Sequence, residues 1–194
     1  ELPDVMVIVD GVTSVGGSPV ETDAWGLDFV VTGSQKALAL PPGLALGVAS
    51  PRLLERAKTV PGRGIYFDLV PYDEQIRKNQ TPYTPAVSLL FALRAQLERI
   101  AAEGGIEARW ARHDAMRARV EAWAADRGPA LGVAFLPRAG RRSWTVSCLK
   151  LLNAAVQGSA VSKGMKGRGY VIASGYGKLK EHLGDASPGR DKLF

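Results

Sequence analysis

The sequence predicts an α/β protein in which short buried strands alternate with helices. First, residues 5–9 form a continuous apolar run rich in β-branched side chains, as in a strand buried on both faces, and two later runs repeat it. Second, two stretches beyond residue 85 space their apolar side chains at helical intervals. Third, Asp10 and Lys36 follow two of the strands, where open α/β sheets bind ligands.

The first half of the chain is predicted to hold three strands, over residues 5–9, 29–32 and 44–48. Residues 21–26 read as a short helical or turn segment. A helix is expected to begin at Pro51, because proline is favoured at the first helical position and Ser50 suits the N-cap.

The second half mixes helices with isolated strands. Residues 59–85 are rich in Pro, Gly and Tyr and show little periodicity, which predicts an irregular surface loop. Long helices are expected over 86–103 and 106–126, separated by a glycine pair. Further on, the sequence predicts strands at 144–149 and 170–173 around a helix at 159–168.

This order of elements predicts two domains. Residues 1–104 are expected to form the C-terminal part of a larger domain, including its long linking helix, and residues 105–194 a small C-terminal domain. Three short strands cannot make a fully covered parallel sheet, so we expect further strands to come from a larger whole.

Composition narrows the class of protein. The hydrophobic content of 46% and charged content of 23% are typical of a soluble globular protein, and no apolar run could span a membrane. Cys148 is the only cysteine, which excludes a disulfide framework and a cysteine-based zinc site and favours the cytoplasm; no metal site is predicted.

The net charge of +6 does not point to nucleic acid, because basic residues between 94 and 121 are interleaved with Asp and Glu. Such mixing is typical of a solvated helix face. The arginines concerned are Arg94, Arg99, Arg109, Arg112, Arg117 and Arg119.

An acid and an amine at neighbouring strand ends suit pyridoxal phosphate, a cofactor that needs a charge partner and a covalent tether. Lys36 would form the Schiff base and carry the substrate proton, and Asp10 would keep the pyridine nitrogen protonated. Ser34 and Gln35 precede the lysine, within reach of a phosphate. Alone, Asp10 would read as a turn residue and Lys36 as a surface lysine; together they predict the site.

The segments VDGVTSVGG, TGSQKALALPPGLALGVAS and NQTPYTPAVSLLFALRAQLERI resemble class V aminotransferases of the alanine–glyoxylate and serine–glyoxylate (serine–pyruvate) branch. The resemblance implies an aspartate aminotransferase-like fold, here the second half of its large domain followed by the small domain. It also implies that Asp10 pairs with the pyridine nitrogen, Val12 packs on the ring face, Gln35 contacts the phosphate and Lys36 holds the cofactor.

By the same resemblance, Thr81 and Thr84 would reach the phosphate of the neighbouring subunit, which implies a homodimer with shared active sites. The implied reaction moves an amino group from a small amino acid, alanine or serine, to a 2-oxo acid, glyoxylate or pyruvate. These small molecules are the expected partners.

The chain also departs from the family pattern. The family has a phosphate-binding turn and a ring-stacking aromatic before the aspartate strand, and an arginine near the C-terminus that pairs with the substrate carboxylate. In this sequence, residues 177–181 run directly into His182, as though the segment with that arginine were missing. Arg190 lies further on in a Pro/Gly context, and we do not assign the role to it. Nothing before Asp10 in this sequence can supply the turn or the aromatic residue.

Two alternatives therefore stay open. One is a truncated or incomplete, non-catalytic fragment of such an enzyme. The other is a cysteine desulfurase-like member of class V, which would need a loop cysteine and usually a histidine before the lysine, where this chain has Gln35.

Overall fold

The computed structural model describes residues 4–153 and 155–174. The described chain holds five strands and five helices. In order they are β1 (Ile8–Asp10), β2 (Phe29–Gly33), β3 (Ala45–Ala49), α1 (Pro51–Thr59), α2 (Leu69–Ile76), α3 (Val87–Ala102), α4 (Gly105–Leu131), β4 (Val133–Phe135), β5 (Leu149–Leu151) and α5 (Gly158–Lys166).

The first three strands form one sheet in the order β1-β2-β3. β1 runs parallel to β2, with Asp10 opposite Val31, and β3 runs antiparallel to β2, with Ala45 opposite Gly33. The carboxyl ends of β1 and β2 therefore lie at one edge of the sheet, where β3 begins. This arrangement places the residues that follow Asp10 and Gly33 side by side.

The opposite edge is closed by a buried carboxylate. Asp28, only 2% exposed, accepts hydrogen bonds from Val7 N–H (2.8 Å), Ser50 Oγ (2.9 Å) and the Arg52 guanidinium. The Arg52 hydrogen bonds are the main reason that the pKa of Asp28 lies well below its ordinary value. One acidic side chain thus ties the chain before β1 and the chain after β3 to the start of β2.

The prediction of strands near 29–32 and 44–48 is confirmed within one residue. The expectation that residues 5–9 are buried on both faces is wrong for the described chain, since Val5, Val7 and Ile8 are 49%, 43% and 66% exposed. The physical reason is that side chains of a strand point to the faces of the sheet, and the described chain does not cover the faces of this segment.

The helix expected at Pro51 is confirmed, with Ser50 Oγ accepting the Leu53 N–H over 3.1 Å as the N-cap. The helix expected over 86–103 is also confirmed, as α3. The loop predicted over 59–85 is wrong in part, because α2 forms within it. Its N-cap is Asp68, which accepts from Val70 N–H and pairs with Arg63.

Beyond α3 the long helix α4 continues past its predicted end, and it is followed by the antiparallel pair β4 and β5. A small core forms there from Ala124, Val133, Leu149 and Leu151. The helix expected over 159–168 is confirmed as α5. The predicted strands are wrong: 144–149 reaches β5 only at its last residue, and 170–173 forms no strand in the described chain.

Two compact units meet between Ala111 and Arg112, inside α4. The domain boundary predicted at residues 104 and 105 stays a prediction. No helix in the described ranges is both long and apolar enough to cross a membrane.

Candidate active site

Asp10 ends β1 at the open edge of the sheet and is exposed to solvent. Its Oδ1 accepts a hydrogen bond from Val12 N–H over 3.0 Å, which orients the carboxylate from its own turn. Gly11 N–H donates to Val31 O over 2.8 Å and so carries the β1–β2 ladder one residue past Asp10. An ideal Cβ on Gly11 would lie 2.8 Å from Val15 Cγ2 and 3.2 Å from Val31 O, which explains the glycine.

The lysine loop, residues 34–44, leaves β2 and returns to β3. Ser34 closes its base: Ser34 N–H donates to Leu44 O (3.1 Å), Ser34 Oγ donates to Pro41 O (2.7 Å), and Leu44 N–H donates to Ser34 Oγ (3.3 Å). The Ser34 residue is completely buried. The expectation that Ser34 reaches a phosphate is therefore wrong, because its hydroxyl already serves two backbone groups of the loop.

Lys36 begins a tight turn inside this loop. Ala39 N–H donates to Lys36 O over 2.9 Å, and Ala39 adopts a φ of 55°, a left-handed conformation that an alanine occupies at a cost. The Lys36 side chain is exposed, and its amine forms no ion pair within the described part of the chain. The turn thus presents a free amine from a constrained backbone.

The turn after Asp10 packs directly on the lysine loop. Gly16, with a φ of +85°, lies against Ala37 and Leu38, and an ideal Cβ there would be 3.4 Å from Ala37 Cβ. On the lysine side, the Gln35 amide folds over Gly33, with Oε1 2.7 Å from an ideal Cβ. Asp10, Val12, Gln35 and Lys36 are thereby carried on two loops in contact.

Thr81 and Thr84 lie elsewhere, on the exposed segment between α2 and α3. Neither threonine side chain makes a hydrogen bond in the part of the chain that is described. Tyr83 between them is held, since its hydroxyl donates to Ile65 O over 2.6 Å and its ring lies 5.0 Å from that of Tyr66. The structure therefore groups four of the six predicted site residues and leaves both threonines facing outward.

Arg109 is a site residue that sequence reasoning missed. It was expected on a solvated helix face, yet it is 5% exposed, and its Nη1 donates to Ala37 O over 2.8 Å. That expectation is wrong because α4 packs this one arginine against the lysine loop. No local signal distinguishes it, since Ala37 lies 72 residues away.

The donor set at the sheet edge matches pyridoxal phosphate in chemistry. It offers a carboxylate for a pyridinium nitrogen, an amine for an aldehyde and an amide for a phosphate, at Asp10, Lys36 and Gln35. A cavity of about 450 Å³ lies instead beside the start of β1, lined by residues that include Met6, Ile8 and Phe67. The candidate site is thus an open edge within the described chain.

Comparison with known proteins decides the family. The model of the family described as "Aminotransferase class-V" matches residues 2–133, more than half of the chain. The chain belongs to the class V aminotransferases.

Individual relatives agree with this family. The chain is 44% identical over 122 residues to a serine–glyoxylate aminotransferase of Arabidopsis thaliana, covering 61% of this chain and 30% of that protein. It is 47% identical over 108 residues to a protein of a Synechococcus species named "Soluble hydrogenase, small subunit", covering 56% of this chain and 28% of that protein. The chain therefore spans about a third of the curated relatives that it matches.

The solved structures give the same result for the fold. The alanine–glyoxylate aminotransferase of a Nostoc species superposes with a TM-score of 0.79 at 27% identity, over 90% of this chain and 46% of that one. The class V aminotransferase has the fold of pyridoxal-phosphate-dependent aminotransferases, and the chain corresponds to about half of it.

Proposed function

We propose that this class V aminotransferase chain carries the cofactor-binding edge of an enzyme that moves an amino group from alanine or serine to glyoxylate or pyruvate. The observation that carries the proposal is the delivery of Asp10 and Lys36 to one edge of the sheet, on two loops in contact through Gly16 and Ala37. The printed names of the serine–glyoxylate and alanine–glyoxylate relatives support the choice of substrates.

Four residues would hold pyridoxal phosphate. Asp10 would pair with the pyridine nitrogen, Val12 would pack on the ring, Gln35 would bind the phosphate and Lys36 would bond covalently to the aldehyde. When bound, the cofactor supplies an electron sink for the substrate Cα.

The protein's own part in the reaction is then defined by two of these groups. Lys36 Nζ would take the proton from the substrate Cα and later give it back, which requires an amine that is exposed and held by a defined turn. Asp10 would offer its carboxylate to the pyridine nitrogen, and the hydrogen bond from Val12 N–H would keep that carboxylate oriented.

The exposed threonines suit a dimer. Both hydroxyls lack a hydrogen-bond partner among the described residues, and the Tyr83 hydroxyl fixes the segment between them by donating to Ile65 O. We include in the proposal that these hydroxyls bind the cofactor phosphate of a second copy, so that the active enzyme is a homodimer with shared sites. A cytoplasmic location, expected from the single cysteine, also belongs to the proposal.

The desulfurase alternative lacks support from the described residues. Burial raises the pKa of the half-buried Cys148 thiol, which disfavours the thiolate that such chemistry needs. Gln35 also stands where a histidine would be expected. Residues 175–194, the region in which the family has its substrate-binding arginine, lie outside the described range.

The test is covalent trapping on the protein at its natural length. Wild-type protein mixed with pyridoxal phosphate and reduced with borohydride is expected to carry the cofactor on Lys36, and alanine or serine with glyoxylate is expected to yield glycine. Lys36→Ala should abolish both, because it removes the nucleophile. Peptide mass spectrometry and glycine formation are the measurements.

Lys58→Ala is the matched control, since Lys58 is an exposed lysine that pairs only with the nearby Glu55 among the contacts described. It should leave trapping and transfer unchanged. Cofactor bound to a lysine other than Lys36 would overturn the proposed role. A folded, cofactor-loaded protein that releases no glycine would favour the non-catalytic alternative.

A further inference from the structure

Arg109 is buried although it is charged, and it has to be stabilised by specific partners. Its side chain is 5% exposed, the least among the arginines whose ion pairs the structure gives. The acceptors that a buried guanidinium finds offset much of the cost of removing its charge from water. The identity of those acceptors shows what the residue holds in place.

One acceptor is the backbone of the lysine loop. Arg109 Nη1 donates to Ala37 O over 2.8 Å, and Nη2 lies 3.5 Å from Glu103 Oε2. Glu103 also accepts from the exposed Arg99 over 3.0 Å. The anchor therefore runs from an acid at the end of α3, through Arg109 on α4, to the Ala37–Leu38 peptide, one peptide beyond the one that follows Lys36.

The anchored carbonyl sits at a sensitive point. Ala37 is the second residue of the Lys36–Ala39 turn. In this turn Ala39 has a left-handed conformation, and Gly16 lies against Ala37. The held Ala37–Leu38 peptide lies inside the turn that the Ala39 N–H closes on Lys36 O. Holding it therefore limits the conformations of the whole turn, and with them the directions in which the Lys36 side chain can leave the backbone. A charge-assisted hydrogen bond is strong enough to hold a strained turn in one conformation.

We propose that Arg109 is a positioning residue for Lys36: it holds the turn so that the amine points to the cofactor aldehyde. This role rests on the proposed function of Lys36. It acts through the backbone of Ala37, without contact between the guanidinium and the cofactor.

The experiment compares three variants of the natural-length protein. Arg109→Met keeps the aliphatic stem and removes every donor, and Arg109→Lys keeps one charged donor. Arg99→Met removes a different arginine that donates to Glu103, on the exposed face of α3. Stopped-flow absorbance separates the initial binding of pyridoxal phosphate from formation of the bond to Lys36. We expect Arg109→Met to slow bond formation about tenfold or more, because a small displacement of a reacting group costs that much.

Initial binding should stay within about twofold of the wild-type value in all three variants. Arg109→Lys should recover part of the rate of bond formation, and Arg99→Met should match the wild type.

Hydrogen exchange on the cofactor-free protein gives a second readout. The Ala39 and Leu40 amides, which donate to Lys36 O and Ser34 O, should exchange about tenfold faster in Arg109→Met and not in Arg99→Met. If Arg109→Met does not fold, Arg109→Lys is compared with Arg99→Met by the same two measurements, and only Arg109→Lys should show slower bond formation and faster exchange.

The outcomes are distinct. Wild-type rate and wild-type exchange in folded Arg109→Met would overturn the positioning role while leaving the function of Lys36 intact. Equal slowing in Arg99→Met would also overturn it, since the effect would then come from Glu103. A wild-type protein that forms no bond at Lys36 would overturn the proposed function and this role together.

Discussion

The two edges of the three-stranded sheet use aspartate in opposite ways. At the edge where β1 and β2 start, Asp28 is buried and accepts from Val7, Ser50 and Arg52. At the edge where they end, Asp10 is exposed and accepts from its own turn at Val12. Both are single acids next to a short strand, yet the oxygens of Asp28 are occupied by hydrogen bonds within the fold and Asp10 is exposed to solvent.

The difference shows that one acid of this sheet stabilises the fold while the other remains able to bind a ligand. A carboxylate whose oxygens are all occupied cannot bind a ligand, whereas one that is oriented but accessible can. Other polar groups differ in the same way. The Ser34 hydroxyl is occupied by hydrogen bonds inside the lysine loop, while the Lys36 amine is exposed to solvent.

The largest effect is expected at the closed edge. Asp28→Asn should give the largest decrease in the free energy of unfolding at pH 7, because it removes the negative charge of a buried carboxylate that accepts from Val7 N–H, Ser50 Oγ and Arg52. Since folding lowers the pKa of Asp28 from its ordinary value of 3.8, its contribution is present above about pH 4 and is lost as the pH falls further. Urea unfolding between pH 7 and pH 3 measures both effects.

Asp73→Asn is the control, since that ion pair with Arg77 lies on an exposed helix face and should contribute little. The comparison breaks if Asp28→Asn unfolds at the wild-type urea concentration, or if the decline in stability below pH 4 persists unchanged in the variant.

At the open edge a matched change should affect chemistry alone. Asp10→Asn keeps an oxygen for the Val12 N–H but removes the charge, so amino transfer should fall roughly 100-fold or more while the melting temperature stays constant. Steady-state kinetics and thermal unfolding are the measurements. The exposed Asp23→Asn serves as control, and a large loss of stability in Asp10→Asn would erase the contrast between the two edges.

The smallest effect sharpens the picture of the lysine turn. Ala39→Gly should raise the free energy of unfolding by about 0.5 kcal/mol, because the relief of a left-handed alanine slightly exceeds the entropy that glycine loses. Ala39→Val should lower it by about 1 kcal/mol or more, since a β-branched residue tolerates that φ poorly. Urea titrations of both variants measure the difference; equal stabilities would show that the turn holds no strain.

Sequence reasoning predicted the parts of the fold that depend on local signals. The β2 and β3 runs, the Ser50 cap of α1 and the periodicity of α3 are all encoded within a few neighbouring residues. The expectation that Asp10 and Lys36 follow neighbouring strands came from one rule about parallel sheets, and the parallel pairing of β1 with β2 agrees with it.

What could not be predicted depends on distant partners. The pairing of β4 with β5 joins three-residue strands whose alternation is too short to detect, and the alternating run at 144–149 stops short of that pair. Arg109 resembled its solvated neighbours in sequence because Ala37 O, which it binds, lies on another element. Ser34 looked available because the hydrogen-bond partners of its hydroxyl, Pro41 O and Leu44 N–H, lie seven and ten residues further along the chain. Burial of a polar group is decided by tertiary contacts, which a local pattern does not contain.

Because Ser34 fastens both ends of the lysine loop to each other, residues 34–44 behave as a cassette mounted on β2 and β3. Exchanging this segment between members of the family should leave the β2–β3 pairing in place, while the new loop would still have to fit Gly16 and Arg109. Chimaeras that swap only these eleven positions would report how much of an enzyme's preference travels with the loop and how much stays in the scaffold.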